Sequence, residues 1–256
     1  MRKQQWRHKF AIMATAVATA VLSHASTAEA TTVLYVPQDD RPVSLAYTVA
    51  TAQDAGYTVL TPPQYYISGR NFQGNAEAIW KWVDENISKA DVLVLSTDSL
   101  IYGGLVDSRK HNLDLHTLEY RVHHIEDLHK KYPNIPMYAF GTVMRSPRAS
   151  GGGVEPAYYD QYGPTIFRIA ALQDKLDSQK LTADEQKELF MLQATVPVEF
   201  LQDWFHRRQK NMEINRQLID ITKKGVFKYF ALGHDDTSSL SQSAMEGRYL
   251  QKYSKG

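Results

Sequence analysis

The dipeptide Asp-Asp occurs twice in one setting, after an apolar run and before a helix-like pattern. The first copy is Val33-Leu-Tyr-Val-Pro-Gln-Asp39-Asp40-Arg41-Pro42 and the second is Phe227-Lys-Tyr-Phe-Ala-Leu-Gly-His234-Asp235-Asp236. Two carboxylates held close together cannot both ionise freely. One pKa rises, and that residue can then act as a general acid near neutral pH. Asp235 and Asp236 are therefore the candidate catalytic pair. The competing use is structural: acidic residues favour helix N-termini, and Ser239 with Gln242 has the spacing of a capping box. Around this pair stand further polar residues at the ends of apolar runs: Asp39, Asp40 and Arg41, then Asp98 and Tyr102, then Arg145, and finally His234. Acids, guanidinium groups and a phenol on one rim suit a polar, hydroxyl-rich ligand, and these residues are assigned to substrate binding. Arg41 precedes proline and is held extended, which fixes a guanidinium for gripping a carboxylate or sugar hydroxyls.

The elements that must position these side chains follow a regular rhythm. Strands are expected at Val33–Val36, Tyr57–Leu60, Asp91–Leu95, Ile135–Val143 and Phe227–Leu232, and helices at about Val43–Ala55, Asn75–Ile87 and Thr117–Lys131. Continuous apolar runs alternating with helical patterns indicate βαβ units and a mainly parallel sheet, whose strand ends carry the working residues of α/β proteins. The fold class is α/β, either TIM-barrel-like or an open doubly wound sheet, and carboxylates at successive strand ends lean toward the barrel. Between Val143 and Phe227 the rhythm breaks. Helix patterns near Thr165–Leu176, Ala183–Gln193 and Glu199–Lys224 form a helical insertion over about 163–225, with a capping box at Thr182/Glu185 and Gly225 closing the last helix.

Residues 1–30 read as a secretory signal peptide, leaving 31–256 as the α/β domain. Arg2, Lys3, Arg7 and Lys9 precede an apolar stretch from Ala11 to Leu22, and Ala28-Glu29-Ala30 fits a signal-peptidase site. The stretch is too short for a transmembrane helix, so the expectation is an exported protein, periplasmic or extracellular, with no membrane anchor after cleavage. The chain has no cysteine, which excludes disulfides and a lipidated N-terminal cysteine. Its formal charge of +1 over 256 residues argues against nucleic acid as a partner. Arg207, Arg208, Lys210, Arg216, Lys223 and Lys224 share one helix pattern and read as a solvated face.

Several motifs together resemble a bacterial family called domain of unknown function 4127. They are Val36-Pro37-Gln38-Asp39-Asp40-Arg41-Pro42, the run Ser96-Thr-Asp-Ser-Leu-Ile-Tyr-Gly-Gly-Leu-Val-Asp-Ser-Arg109, Met144-Arg145, Glu155-Pro-Ala-Tyr-Tyr159 and Leu232-Gly-His-Asp-Asp236. The resemblance implies a longer protein, of which this chain resembles the N-terminal half. It would leave the strand at 227–232 as an open edge and favour association. It implies no particular activity. Separately, the Asp235-Asp236 pair resembles O-GlcNAcase-like hexosaminidases, in which one carboxylate orients the substrate's acetamido group and its neighbour protonates the leaving oxygen.

Gly151-Gly152-Gly153 lacks the Lys-Ser/Thr ending of a phosphate loop and reads as a lid, with Glu155, Tyr158 and Tyr159 either lining the cleft or packed in a core. Gly103 and Gly104 after Tyr102 allow close approach to a ligand or simply make a tight turn. His123, His124 and His129 share a helix but point in different directions, so they cannot share one ion. The reading is an exported glycan-active hydrolase, N-acetylhexosaminidase-like, that takes a small-molecule or glycan substrate and needs no cofactor. A metal-dependent hydrolase built on Asp39, Asp98, His234 and Asp235 is one alternative, and a non-catalytic glycan-binding module is another.

Overall fold

The computed structural model describes residues 30–234 and 238–256. The expected catalytic pair, Asp235 and Asp236, and the expected signal peptide thus fall outside the described residues, apart from Ala30. Five parallel strands, β1 (Thr32–Val36), β2 (Thr58–Leu60), β3 (Val92–Ser96), β4 (Met137–Val143) and β5 (Tyr229–His234), form one sheet in the order β2-β1-β3-β4-β5. A barrel of successive βα units would place β2 between β1 and β3. The observed order is instead that of an open doubly wound sheet, with a topological switch between β1 and β3.

Helices connect the strands: α1 (Ala46–Asp54), α2 (Ala76–Asn86), the short pair α3 (Thr97–Tyr102) and α4 (Leu105–Lys110), and α5 (Leu115–Lys131). The helical insertion consists of α6 (Tyr159–Ser178), α7 (Ala183–Thr195) and α8 (Val198–Lys223), and α9 (Gln242–Lys255) follows β5. Local chemistry sets their limits. Asn75 caps α2 by accepting from the Ala78 amide, and Asp114 accepts from Thr117, which starts α5 two residues earlier than its apolar pattern does. The Thr182/Glu185 capping box opens α7, and Gly225, at φ 86°, follows α8 in the left-handed region. The last helix is capped by Ser241, not Ser239, because the Ser241 hydroxyl accepts from Ala244.

One face of the sheet carries the core. Leu34, Leu93 and Met137 stand in one row and Val36, Leu95 and Ala139 in the next, packed against Ile79 and Val83 of α2, Leu118 and Val122 of α5, and Ile214 and Leu218 of α8. The opposite face holds the row Tyr35–Val94–Tyr138–Tyr229. Its side chains become steadily less covered toward β5: Tyr35 is buried, Val94 is half-buried, Tyr138 is 42% exposed and Tyr229 63%.

The basic face expected on α8 is only partly solvated. Arg207 and Arg208 are buried. Arg207 donates to Asp203 and to the His111 carbonyl, while Arg208 grips Glu246 of α9 and the Met144 carbonyl. A buried guanidinium is tolerated because every face of it meets an acceptor. His124 of α5 is half-buried. It stacks on Trp80 with centroids 4.1 Å apart and bonds Asp84. Tyr159 is fully buried against Trp204, and Tyr158 stacks on Phe200 and donates to Asp203, so both belong to the insertion's own core.

Candidate functional site

At the switch point the chains leaving β1 and β3 diverge and open the C-terminal edge of the sheet, where α/β proteins bind ligands. Asp98 sits there, in the first turn of α3, and only 2% of it is exposed. The Ser96 hydroxyl caps that helix by accepting from the Ser99 amide. The Ser99 hydroxyl in turn donates to the Pro37 carbonyl at 2.6 Å, tying the end of β3 to the end of β1. One carboxylate oxygen of Asp98, Oδ2, accepts from Gln38 Nε2 at 2.7 Å and from Thr142 Oγ1 at 3.0 Å. Three strand ends therefore meet on one carboxylate. Burial pushes its pKa up from 3.8 to about 6, against the opposing pull of Gln38, Thr142 and the positive charge of Arg109.

Arg109 extends the cluster. It lies 4.0 Å from Glu155, a carboxylate that also takes the Arg145 guanidinium and, at 2.8 Å, the Gly151 amide. Glu155 thus anchors the glycine-rich loop. Arg70 donates to the Gly151 carbonyl at 3.1 Å and Lys110 to that of Gly153 at 2.8 Å. Gly152 and Gly153 adopt φ of 69° and 79°, the region that disfavours side chains. The loop is accordingly held from three sides and makes no helix-backed cradle for a phosphate.

The remaining expected residues occupy distinct places. Asp39 is buried and accepts from its neighbour Arg41 through both Nε and the amide, so the Arg41 guanidinium is spent partly on the turn that holds it. The Asp40 amide donates to the Ser68 carbonyl, pinning the turn to the loop after β2. Tyr102 ends α3 and stacks on His111 with centroids 5.0 Å apart. Burial, and then the charge of Asp98, hold its phenol well above the usual range. Arg145 reaches the cluster through Glu155. His234 does not lie over the rim. It is paired in register with Val143, on the helix-covered side, and its ring packs where a Cβ on Gly247 of α9 would stand.

Gly103 and Gly104 do make a close approach, but to the protein itself. A Cβ at Gly104 would collide with the Ser68 side chain, and the Gly103 carbonyl sits against Gly74. Three further members of the cluster, Gln38, Thr142 and Arg109, were not among the expected binding residues. Gln38 and Arg109 lie inside the motifs already singled out. Thr142 carried only the signal of alternation, as a polar residue in step with Tyr138 and Phe140. Among the described residues, no three of His, Cys, Asp or Glu are placed to hold a metal ion.

The profile of the family described as "Protein of unknown function (DUF4127)" matches residues 33–256. No match was found among curated proteins or among solved structures.

Proposed function

The chain belongs to the DUF4127 family, and we propose that it is an exported glycan-active hydrolase working at the β1/β3 switch point, with Asp98 as a proton-transfer group. The observation that carries this reading is a single buried carboxyl, poised near neutral pH by desolvation and held by Gln38 and Thr142 at the sheet edge. A general acid or base works best when its pKa lies near the operating pH. Arg109, facing both Asp98 and Glu155, couples that carboxyl to the glycine-rich loop. Movement of Arg109 would withdraw a positive charge from Asp98. In this reading Asp235, which follows His234 in sequence, orients an acetamido group and Asp236 protonates the leaving oxygen.

The test is turnover of chromogenic glycosides, N-acetylhexosaminides included, by wild-type protein, Asp98→Asn and Asp236→Asn. Loss of proton transfer at Asp98 lowers turnover by about 10²-fold or more. Asp236→Asn should weigh most on substrates with poor leaving groups. Full activity in Asp98→Asn would reject its role, and equal losses across leaving groups would reject that of Asp236. The export assignment is checked by intact mass, with a mature chain starting at Thr31.

A further inference from the structure

A small polar cavity of about 250 Å³ lies between the turn at residues 69–73, α4 and the glycine-rich loop, and Arg70, Asn71, Phe72, Asp107, Lys110 and Gly153 are among the residues that line it. The Gly69 amide closes the turn by donating to the Phe72 carbonyl at 3.1 Å, and the Phe72 ring packs where a Cβ on Gly69 would stand. Phe72 nevertheless stays 50% exposed. Arg70 and Lys110 are exposed too, and the loop fixes their charged ends. Lys110 Nζ donates to the carbonyl of Gly153, itself part of the wall, and Arg70 Nη2 donates to that of Gly151, two residues away. One bond each leaves most N–H groups of a guanidinium and an ammonium unspent.

The neighbouring guanidinium groups are already matched, Arg109 and Arg145 by Glu155 and Arg41 by Asp39. Among the described residues, Arg70 and Lys110 make no salt bridge. The acids close by are engaged or lie outside the wall: Asp98 is held by Gln38 and Thr142, and the Asp40 carboxylate rests against Gly69. Asp107 is the carboxylate within the wall. Its Oδ2 accepts from the Gly74 amide, and burial raises its pKa against the pull of that amide and of Lys110. The wall thus sets two unpaired cations against one carboxylate. We infer that this cavity binds the carboxylate of an acidic sugar, a single hexuronate unit, between Arg70 and Lys110. The Asn71 amide meets a hydroxyl of that unit, and Phe72 contacts its carbons. The sugar body rests on the glycan reading above, whereas the anion follows from the two cations. Hydrogen bonds from cations to a carboxylate are about twice as strong as neutral ones. The volume lies just below the roughly 300–1,000 Å³ of sites for larger ligands, which suits one sugar unit and not a chain.

The experiment is calorimetric titration of the full chain, at low ionic strength, with glucuronate, glucose, acetate and inorganic phosphate. It reads affinity and not turnover, so its failure is distinct from failure of the hydrolase reading. Saturable binding of glucuronate, tighter than that of acetate or phosphate and absent with glucose, is the expected result. Arg70→Met and Lys110→Met should each weaken it by about tenfold or more. Lys110→Arg keeps the charge and a donor for Gly153, so it should weaken binding far less and separates loss of charge from loss of the loop's anchor. The inference is overturned by an absence of saturable glucuronate binding, by glucose binding as tightly, or by equal losses in Lys110→Met and Lys110→Arg. Acetate or phosphate binding as tightly as glucuronate would also overturn it, by showing an anion site with no place for the sugar.

Discussion

Asp98 and Glu155 are equally buried, at 2% exposure, and both stand near Arg109, yet their immediate partners differ in kind. Asp98 is held at one oxygen by an amide and a hydroxyl, both neutral. Glu155 is held by two guanidinium groups and a backbone amide. Neutral donors satisfy a carboxylate without supplying the charge that would replace lost hydration, so the group keeps access to its protonated form. Guanidinium partners supply that charge and make the carboxylate a strut. One rim thus contains a titratable acid and a structural one, within reach of the same arginine.

The comparison breaks most visibly at Glu155. Replacing it by alanine leaves Arg109 buried and Arg145 largely so, without their carboxylate, and should cost about 3–5 kcal/mol. Urea denaturation would measure the loss, and limited proteolysis at residues 147–155 should accelerate as the loop loses its anchor. A loss below 1 kcal/mol would mean that the two guanidinium groups have other sufficient partners.

Asp98→Asn should move stability the other way. The folded-state pKa is raised, so between pH 3.8 and about 6 the native state binds more protons than the unfolded chain, and stability falls as pH rises through that window. The rise corresponds to roughly 3 kcal/mol of strain on the ionised form at neutral pH. Asparagine removes that charge, and its single carbonyl oxygen can take both donors, since Gln38 and Thr142 share Oδ2. Gain of up to roughly 3 kcal/mol at pH 7, with no change below pH 3.8 and a flattened slope between, is the expected outcome of paired melts across pH. An unaltered pH dependence in the variant would place the titration elsewhere.

Gly152→Ala sharpens the comparison on the smallest scale. At φ 69° a side chain is strained, so the variant should lose about 1 kcal/mol, confined to the loop that Glu155 holds. Hydrogen exchange of the Gly151 amide, which donates to Glu155, would register it.

Much of this architecture was legible in the residues. Val92-Leu-Val-Leu95 could only be a buried strand, and the Asp39 and Asp98 motifs stand at the strand ends where the apolar runs place them. Strand order was less accessible. Whether β2 lies between β1 and β3 or outside β1 depends on which way the chain crosses after α1, and side-chain period carries no such information. The surroundings of Asp98 were hidden for a related reason: Thr142 reads as an ordinary strand residue, and only pairing of β4 with β3 brings its hydroxyl to a carboxylate 44 residues away. Arg208 looked solvated because its carboxylate partner, Glu246, comes from α9, and Arg207 because the backbone before α5 arrives to cover it beside Asp203 of its own helix. A helical charge pattern records the face a residue occupies, not what arrives to meet it.

The row from Tyr35 to Tyr229 has a bearing on how the molecule comes apart. Parallel sheets are ordinarily shielded on both sides, and here shielding of the second side fades strand by strand toward β5. Local opening follows the least-covered backbone, so amide protection should decay in the same sequence, with β5 released first, then β4, then β3, and β1 last. The switch point lies at the slow end of that gradient. Asp98 therefore keeps its geometry through fluctuations that expose Tyr229, and the fold separates the edge that breathes from the edge that holds the acid.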